Sequence, residues 1–304
     1  MRLNEDRVRG LMLGLLLGDA YDTTSGGTAR VQGTCLAQLA CFTLEGLIRA
    51  SVRYDHKGLC HPPSVVWHAW CRWAHVQGLG SSFAAHWGTS GDWPDGWLSQ
   101  VRPLSMRHGR APATVAALRR SSVAPAGAVG NSSGHHALTR SLPTAIFASE
   151  LTNAAQIGAD LAGLTHGSPD AASAAAEGVD LVAKLLHGEG DRVELPRQSS
   201  SAPPGTAMHA LHHGRIAAHA ADDLADAIHR ARAHGRGATT TAAALYGAAN
   251  GLRSVPSELV NDLEIAWVAD QLAQDAYSQI AAKPGGTEFT AAPDPVWWSR
   301  YPGW

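Results

Sequence analysis

The chain has 304 residues, with 24 Lys+Arg against 26 Asp+Glu and a formal net charge of -2. Hydrophobic residues make up 45% and charged residues 16%, below the roughly 25% charged usual for soluble domains. A charge this low and balanced excludes a binder that neutralises nucleic-acid phosphates, and the apolar fraction excludes a disordered chain.

In chain order, the first feature is the longest apolar run, residues 10–18, bounded by Arg9 and Asp19. It is far short of the roughly 20 apolar residues a bilayer span needs, so no membrane role is expected. Basic residues precede it, as in a secretory leader, but no small-x-small cleavage site follows. It therefore reads as an amphipathic first helix. Cys35, Cys41, Cys60 and Cys71 contain no CxxC pair and are too few for a disulfide scaffold, which points to a reducing cytoplasm. Helical spacing of apolar residues, rich in alanine, then predicts helices over 36–50, 64–76, 141–164, 170–186, 207–234, 241–252 and 257–282. Ser168-Pro169-Asp170 and Ser254-Val255-Pro256-Ser257-Glu258 mark two of the starts, and Gly188 with Gly190 marks a stop. Residues 78–134 and 198–205, rich in Gly, Pro, Ser or Trp, read as loops. No strand-like alternation, internal repeat or linker interrupts the series. The expected architecture is one all-α domain over 1–304.

Several motifs suggest chemistry. Gly130-Asn131-Ser132-Ser133-Gly134 fits G-x-S-x-G, but a nucleophile elbow needs a strand before its serine. Residues 124–127 are a loop, so a flexible Gly/Ser turn is expected. His209, His212, His213 and His219 share one predicted helix, and His209 with His212 or His213 has the spacing that sets imidazoles on one face. No third ligand is evident nearby, so they read as solvated or partly packed histidines. His135-His136 has the position to line a pocket. Trp67, Trp70 and Trp73 read as core, and Asp222-Asp223 as a solvated pair.

A set of landmarks carries a family resemblance. Gly14-Leu15-Leu16-Leu17-Gly18-Asp19-Ala20 resembles the G-x-x-x-G-D-A first helix of the ADP-ribosylglycohydrolases. The stretch from Gln38 through Glu45-Gly46-Leu47-Ile48-Arg49-Ala50 is similar to the helix after that family's T-D-D-T-Q motif. His61-Pro62-Pro63-Ser64-Val65-Val66-Trp67-His68, Leu164-Thr165-His166-Gly167-Ser168-Pro169, the Thr240-Thr241 helix start and Arg300-Tyr301-Pro302-Gly303-Trp304 follow in the family's order. The resemblance implies an all-α orthogonal bundle. It also implies, for active members, cleavage of the glycosidic bond of ADP-ribose conjugates with two magnesium ions.

Carried over position by position, the resemblance puts Thr34 on the first motif's threonine, Cys35 and Leu36 on its aspartates, and Ala37 on its second threonine. In the late D-x-D-[ST] motif, Gly237 and Thr239 fall on the aspartates and Thr240 on the hydroxyl ligand. All four metal-binding carboxylates are missing, so no metal and no magnesium cofactor are expected. The loop between Asp19 and Thr34 has only 14 residues, shorter than in active relatives. Ser132-Ser133-Gly134-His135-His136-Ala137-Leu138-Thr139-Arg140 resembles S-x-G-x-G-G-x-M-R with its glycine pair replaced by His136-Ala137, which narrows an anion's approach to backbone N–H groups.

Two expectations follow. One is a pseudoenzyme that binds an ADP-ribose-like small molecule or a protein partner through Thr34, Ser132, Gly134, His135, His136, Arg140, His166 and Thr240. The other is a metal-independent hydrolase of a ribosyl or ADP-ribosyl conjugate. That chemistry generally takes two carboxyl groups, with Asp19, Asp22 and Glu45 as candidates and His135, His136 or His166 as proton donors.

Overall fold

The computed structural model describes residues 3–21, 32–79, 93–120, 125, 127–151, 153–189, 192–196, 199–287 and 294–303. Its α-helices are α1 (Glu5–Ala20), α2 (Cys35–Lys57), α3 (Pro62–Val76), α4 (Arg102–Ser105), α5 (Pro112–Arg120), α6 (His136–Thr139) and α7 (Ala154–Gly163). They continue with α8 (Pro169–Leu186), α9 (Ala207–Ala220), α10 (Leu224–Ala231), α11 (Arg236–Asn250), α12 (Ser257–Asn261), α13 (Ala266–Ala282) and α14 (Pro295–Arg300). Among the described residues there is no strand, only an isolated antiparallel bridge between Gly134 and Thr206.

The first helix is not amphipathic, because every residue from Gly10 to Ala20 is buried. It runs through the bundle rather than along its surface, packed chiefly against α11 and α13. Small residues allow this. A Cβ built on Gly10, Gly14 or Gly18 would lie 2.3, 2.3 or 2.5 Å from the carbonyl oxygen of Gly247, Ala243 or Thr239 respectively. The two helix backbones therefore touch directly along a stripe of period four. The glycines of the G-x-x-x-G-D-A pattern are there for this contact, and it presents Asp19 beside the N-terminal turn of α11.

Three predicted helices are interrupted where a local partner competes with the ladder. The 207–234 segment breaks after Ala220, and Asp223 N-caps α10 by accepting a hydrogen bond from Asp226 N at 2.8 Å. Asp223 is thus a cap rather than one of a merely solvated pair. The 141–164 segment divides into a 3-10 helix, Leu142–Phe147, and α7, whose cap Asn153 accepts from Gln156 N at 3.0 Å. The 257–282 segment stops at Asn261 and resumes at Ala266. Apolar period alone does not reveal such breaks, since the flanking pieces bury the same side of the chain.

Helix α2 is long and apolar enough to cross a membrane, yet 94% of its apolar window is buried inside the protein. It also carries Glu45 and Arg49, which need protein partners. Glu45 is fully buried between Arg49 and Arg72, with Arg72 Nη2 at 2.5 Å, and Asp95 bonds both arginines from the other side. Trp67, Trp70 and Trp73 are core residues, at most 2% exposed. All four cysteines are free thiols.

Candidate functional site

The C-terminus of α1, the N-terminus of α2 and the N-terminus of α11 converge on Asp19. Thr34 caps α2 by accepting from Leu36 N at 3.2 Å. Asp19 takes what that helix start leaves over. Its carboxylate accepts from Thr34 N at 2.6 Å, Thr34 Oγ1 at 2.7 Å and Ala37 N at 3.3 Å. Arg236, the first residue of α11, donates to Asp19 O at 3.2 Å and sits 3.6 Å from Asp19 Oδ1. Asp19 is fully buried, and desolvation pushes its carboxyl above the ordinary range, opposed by Thr34, Arg236 and Ala37. Cys35 lies beside it, and burial together with the Asp19 charge pushes its thiol up to about 12. It therefore stays protonated at neutral pH and supplies neither nucleophile nor soft anionic ligand.

On the α11 side the hydroxyls face inward. Thr239 Oγ1 donates within 2.8 Å of Gly18 O and 2.9 Å of Arg236 O, and Thr240 Oγ1 donates to Arg236 O at 2.8 Å. Gly237 is closely covered, since a Cβ there would lie 2.6 Å from His135 Cβ and Cγ. The loop at 106–109 covers the α2 side: His108 O accepts from Cys35 N at 2.7 Å, and a Cβ on Gly109 would come within 3.3 Å of Thr34.

The third wall is the segment 131–136. Its backbone is sewn to two other loops, with Ser132 O accepting from Ser168 N at 3.2 Å, Ser133 O from Ala207 N at 2.8 Å, and His135 N donating to Gly205 O at 3.2 Å. Ser132 thus stands in an irregular loop, as the absence of a preceding strand implied. His135 at the N-cap of α6 and His136, its first residue, have ring centroids 4.9 Å apart, and the buried Nδ1 of each lacks a hydrogen-bond partner. Burial and the Arg236 charge lower His135 to about 4, and burial, His135 and Arg140 push His136 well below its usual value.

Arg140 is placed differently from the pocket wall expected for it. It is fully buried, with its guanidinium 4.1 Å over the Trp70 ring, and it donates to Thr114 Oγ1 at 2.7 Å, Leu161 O at 3.4 Å and Thr165 Oγ1. Among the described residues no carboxylate pairs with it, and desolvation lowers it to about 9. Because Thr165 Oγ1 accepts from Arg140, its proton is left for His166 Nδ1 at 2.7 Å. That puts the His166 ring proton on Nε2, the atom 3.5 Å from where a Cβ on Gly134 would stand. Arg140 therefore reaches the site only through Thr165 and His166, and burial lowers His166 to about 3.

The structure thus gathers Asp19, Thr34 and Thr240 around Arg236, brings His135 against Gly237, and sets Ser132, Gly134, His136 and His166 along the adjoining loop. Glu45 is held in its own arginine cluster and takes no part, and Asp22 lies outside the described residues. Arg236 was not foreseen. Its only sequence signal is a cation immediately before the position where the late motif should begin. A separate polar cleft of about 940 Å³ runs along α8 and α9 past Asp170, Glu177, Glu194 and Arg215. It shares Asn131, Ser133, Ser168 and Thr206 with the loop cluster, but none of Asp19, Thr34, His135 or Thr240 lines it.

The helical architecture and the sewn 131–136 loop define an all-α protein of the ADP-ribosylglycohydrolase fold. A solved structure described as an ADP-ribosylglycohydrolase-related protein complex superposes with a TM-score of 0.60 at 18% identity, covering 90% of this chain and 97% of that one. The family model for ADP-ribosylglycohydrolase matches residues 2–203, and the chain belongs to that family. No curated protein matches it.

Proposed function

We propose that this chain binds an ADP-ribose-like, phosphate-bearing small molecule without the dimagnesium chemistry of its family and without turning it over. The observation that carries this reading is the state of Asp19, whose carboxylate is taken up by Thr34 and Ala37 and faced by the Arg236 guanidinium at 3.6 Å. Magnesium demands octahedral oxygen ligands and at least one carboxylate to offset its charge. Cys35, Leu36, Gly237 and Thr239 offer none, the Thr239 and Thr240 hydroxyls donate to backbone carbonyls, and the space over Gly237 is filled by His135. These residues do not fit two magnesium ions.

Among the described residues, the arrangement offers a ligand the Arg236 guanidinium, the neutral imidazoles of His135, His136 and His166, and the backbone around Gly134. Arginine recognises phosphate by a two-pronged pair of charge-assisted hydrogen bonds, while each neutral hydrogen bond adds only about 0.5–1.5 kcal/mol net. Binding should therefore be weak. Hydrolysis without metal takes two carboxyl groups across the bond, and among the described residues the carboxyl at this junction, Asp19, is already engaged. Four free thiols suit a reducing, cytoplasmic setting.

Calorimetry with ADP-ribose should show weak binding that EDTA leaves unchanged and Arg236→Ala removes, and melting curves with and without millimolar magnesium should superimpose. Binding abolished by EDTA, or release of free ADP-ribose from ADP-ribosyl-arginine or ADP-ribosyl-serine substrates, would overturn the reading.

A further inference from the structure

A second cluster of imidazoles lies apart from Asp19, on the outer part of α9. His209 and His213 are one helical turn apart, which sets both rings on the same face. The third member comes from elsewhere in the sequence. After α10, a 3-10 turn, Arg232–His234, ends at Gly235, whose φ of +83° redirects the chain into α11. That turn lays the His234 ring flat on His213, with centroids 3.6 Å apart and planes at 8°, and 5.7 Å from His209. His209 and His213 are 4.4 Å apart. One ligating nitrogen from each of the three lies within 4.8 Å of the other two.

We propose that His209, His213 and His234 form a binding site for one divalent transition-metal ion of the zinc class. Three observations support it. The buried Nδ1 of His209 has no hydrogen-bond partner, a cost that an ion at the centre of the cluster removes. Arg215 is directed to Glu177 and the Glu194 carbonyl, and Arg232 lies over the Tyr21 ring, so both are turned away from the three imidazoles. The donor set is all nitrogen, which suits zinc, copper or nickel and not magnesium. Zinc–nitrogen bonds of about 2.0–2.1 Å require the three rings to turn inward and the stacked pair to tilt apart. His213 and His234 are only partly buried and have room to do so. Three protein ligands leave the fourth tetrahedral position to water or an exogenous donor. The ion would tie α9 to the turn that launches α11, across the intervening helix α10.

The test uses the full-length chain without a histidine tag, stripped with EDTA and dialysed. Zinc competition against a chromophoric chelator should give one equivalent, and cobalt titration should give the intense visible absorption of a four-coordinate nitrogen site. His213→Ala and His234→Ala should each weaken binding by about 100-fold or more, at or beyond the 10–100-fold typical of losing an outer-shell partner. His212→Ala, on the same helix but outside the three, should bind as the parent does. Both test residues are partly exposed, and far-UV circular dichroism confirms that each variant is folded. If one variant fails to fold, the other decides. Less than one equivalent in the parent, or binding that survives His213→Ala and His234→Ala, overturns the proposal.

Discussion

Replacing Gly14 by alanine is the most direct test of how the bundle is held together. An added Cβ would stand 2.3 Å from Ala243 O and 3.0 Å from Ala243 C, where ordinary contact begins near 3.4 Å. Relief takes about 1 Å of separation, and the obstacle is backbone on both sides, so no side chain can rotate out of the way. Opening a packed interface by 0.5–1 Å forfeits roughly a quarter to a half of each dispersion contact. Spread along the stripe from Gly10 to Gly18, that is on the order of 3–4 kcal/mol, at or just above the usual 1–3 kcal/mol cost of overpacking. Alanine's helix propensity returns about 1 kcal/mol. The net expectation is a loss of about 2–3 kcal/mol, read as a lower urea midpoint with an unchanged m-value. Trimming the opposing Ala243 to glycine should not rescue it, because the clash is with the carbonyl. Gly163→Ala, at the end of α7 with nothing within 4 Å, is the control and should be neutral or stabilising by up to about 1 kcal/mol. A Gly14→Ala protein as stable as the parent would refute direct backbone contact between α1 and α11.

Stability should also fall on mild acidification. His135 and His166 are lowered to about 4 and about 3 by burial, below the roughly 6.5 of an unfolded histidine. The native state therefore binds fewer protons, and the stability these rings contribute is complete above about pH 6.5 and lost as pH falls toward 4. At 1.36 kcal/mol per pKa unit the His135 share is on the order of 3 kcal/mol. Denaturation between pH 7 and 4.5 should show the loss, and His135→Asn should flatten it; a slope unchanged in that variant would count against a buried neutral ring. Asp19→Ala should cost several kcal/mol whatever the ligand, because it strands the buried donors of Thr34 and Ala37 at about 1–3 kcal/mol each, and a melting temperature within a degree of the parent would contradict the capping role. Restoring aspartate at position 237 should fail to fold well unless His135 is also reduced to glycine, since the two occupy one space; a stable Gly237→Asp single variant would show that His135 yields.

The sequence by itself determined the helical architecture and the family. Apolar spacing in long alanine-rich segments specifies which side of each helix is buried, and the landmarks from Gly14 to Trp304 occur in the family's order. It also shows that positions 35, 36, 237 and 239 carry no carboxylate, because that is a matter of residue type. It could not tell which hydroxyls and charges were free. Thr34 and Thr240 read as hydroxyl ligands until their partners, Asp19 Oδ1 and Arg236 O, were positioned by helix packing. Arg140 read as a pocket residue, yet it lies fully buried over Trp70, since a local motif does not say which way a long side chain turns once the core closes. Only the tertiary structure decided that α1 is enclosed on all sides, because its neighbours α11 and α13 come from the far end of the chain. The same holds for the third histidine. His234 is 21 residues beyond His213 in sequence, and the 3-10 turn after α10 stacks its ring on His213, 5.7 Å from His209, a juxtaposition no spacing rule encodes.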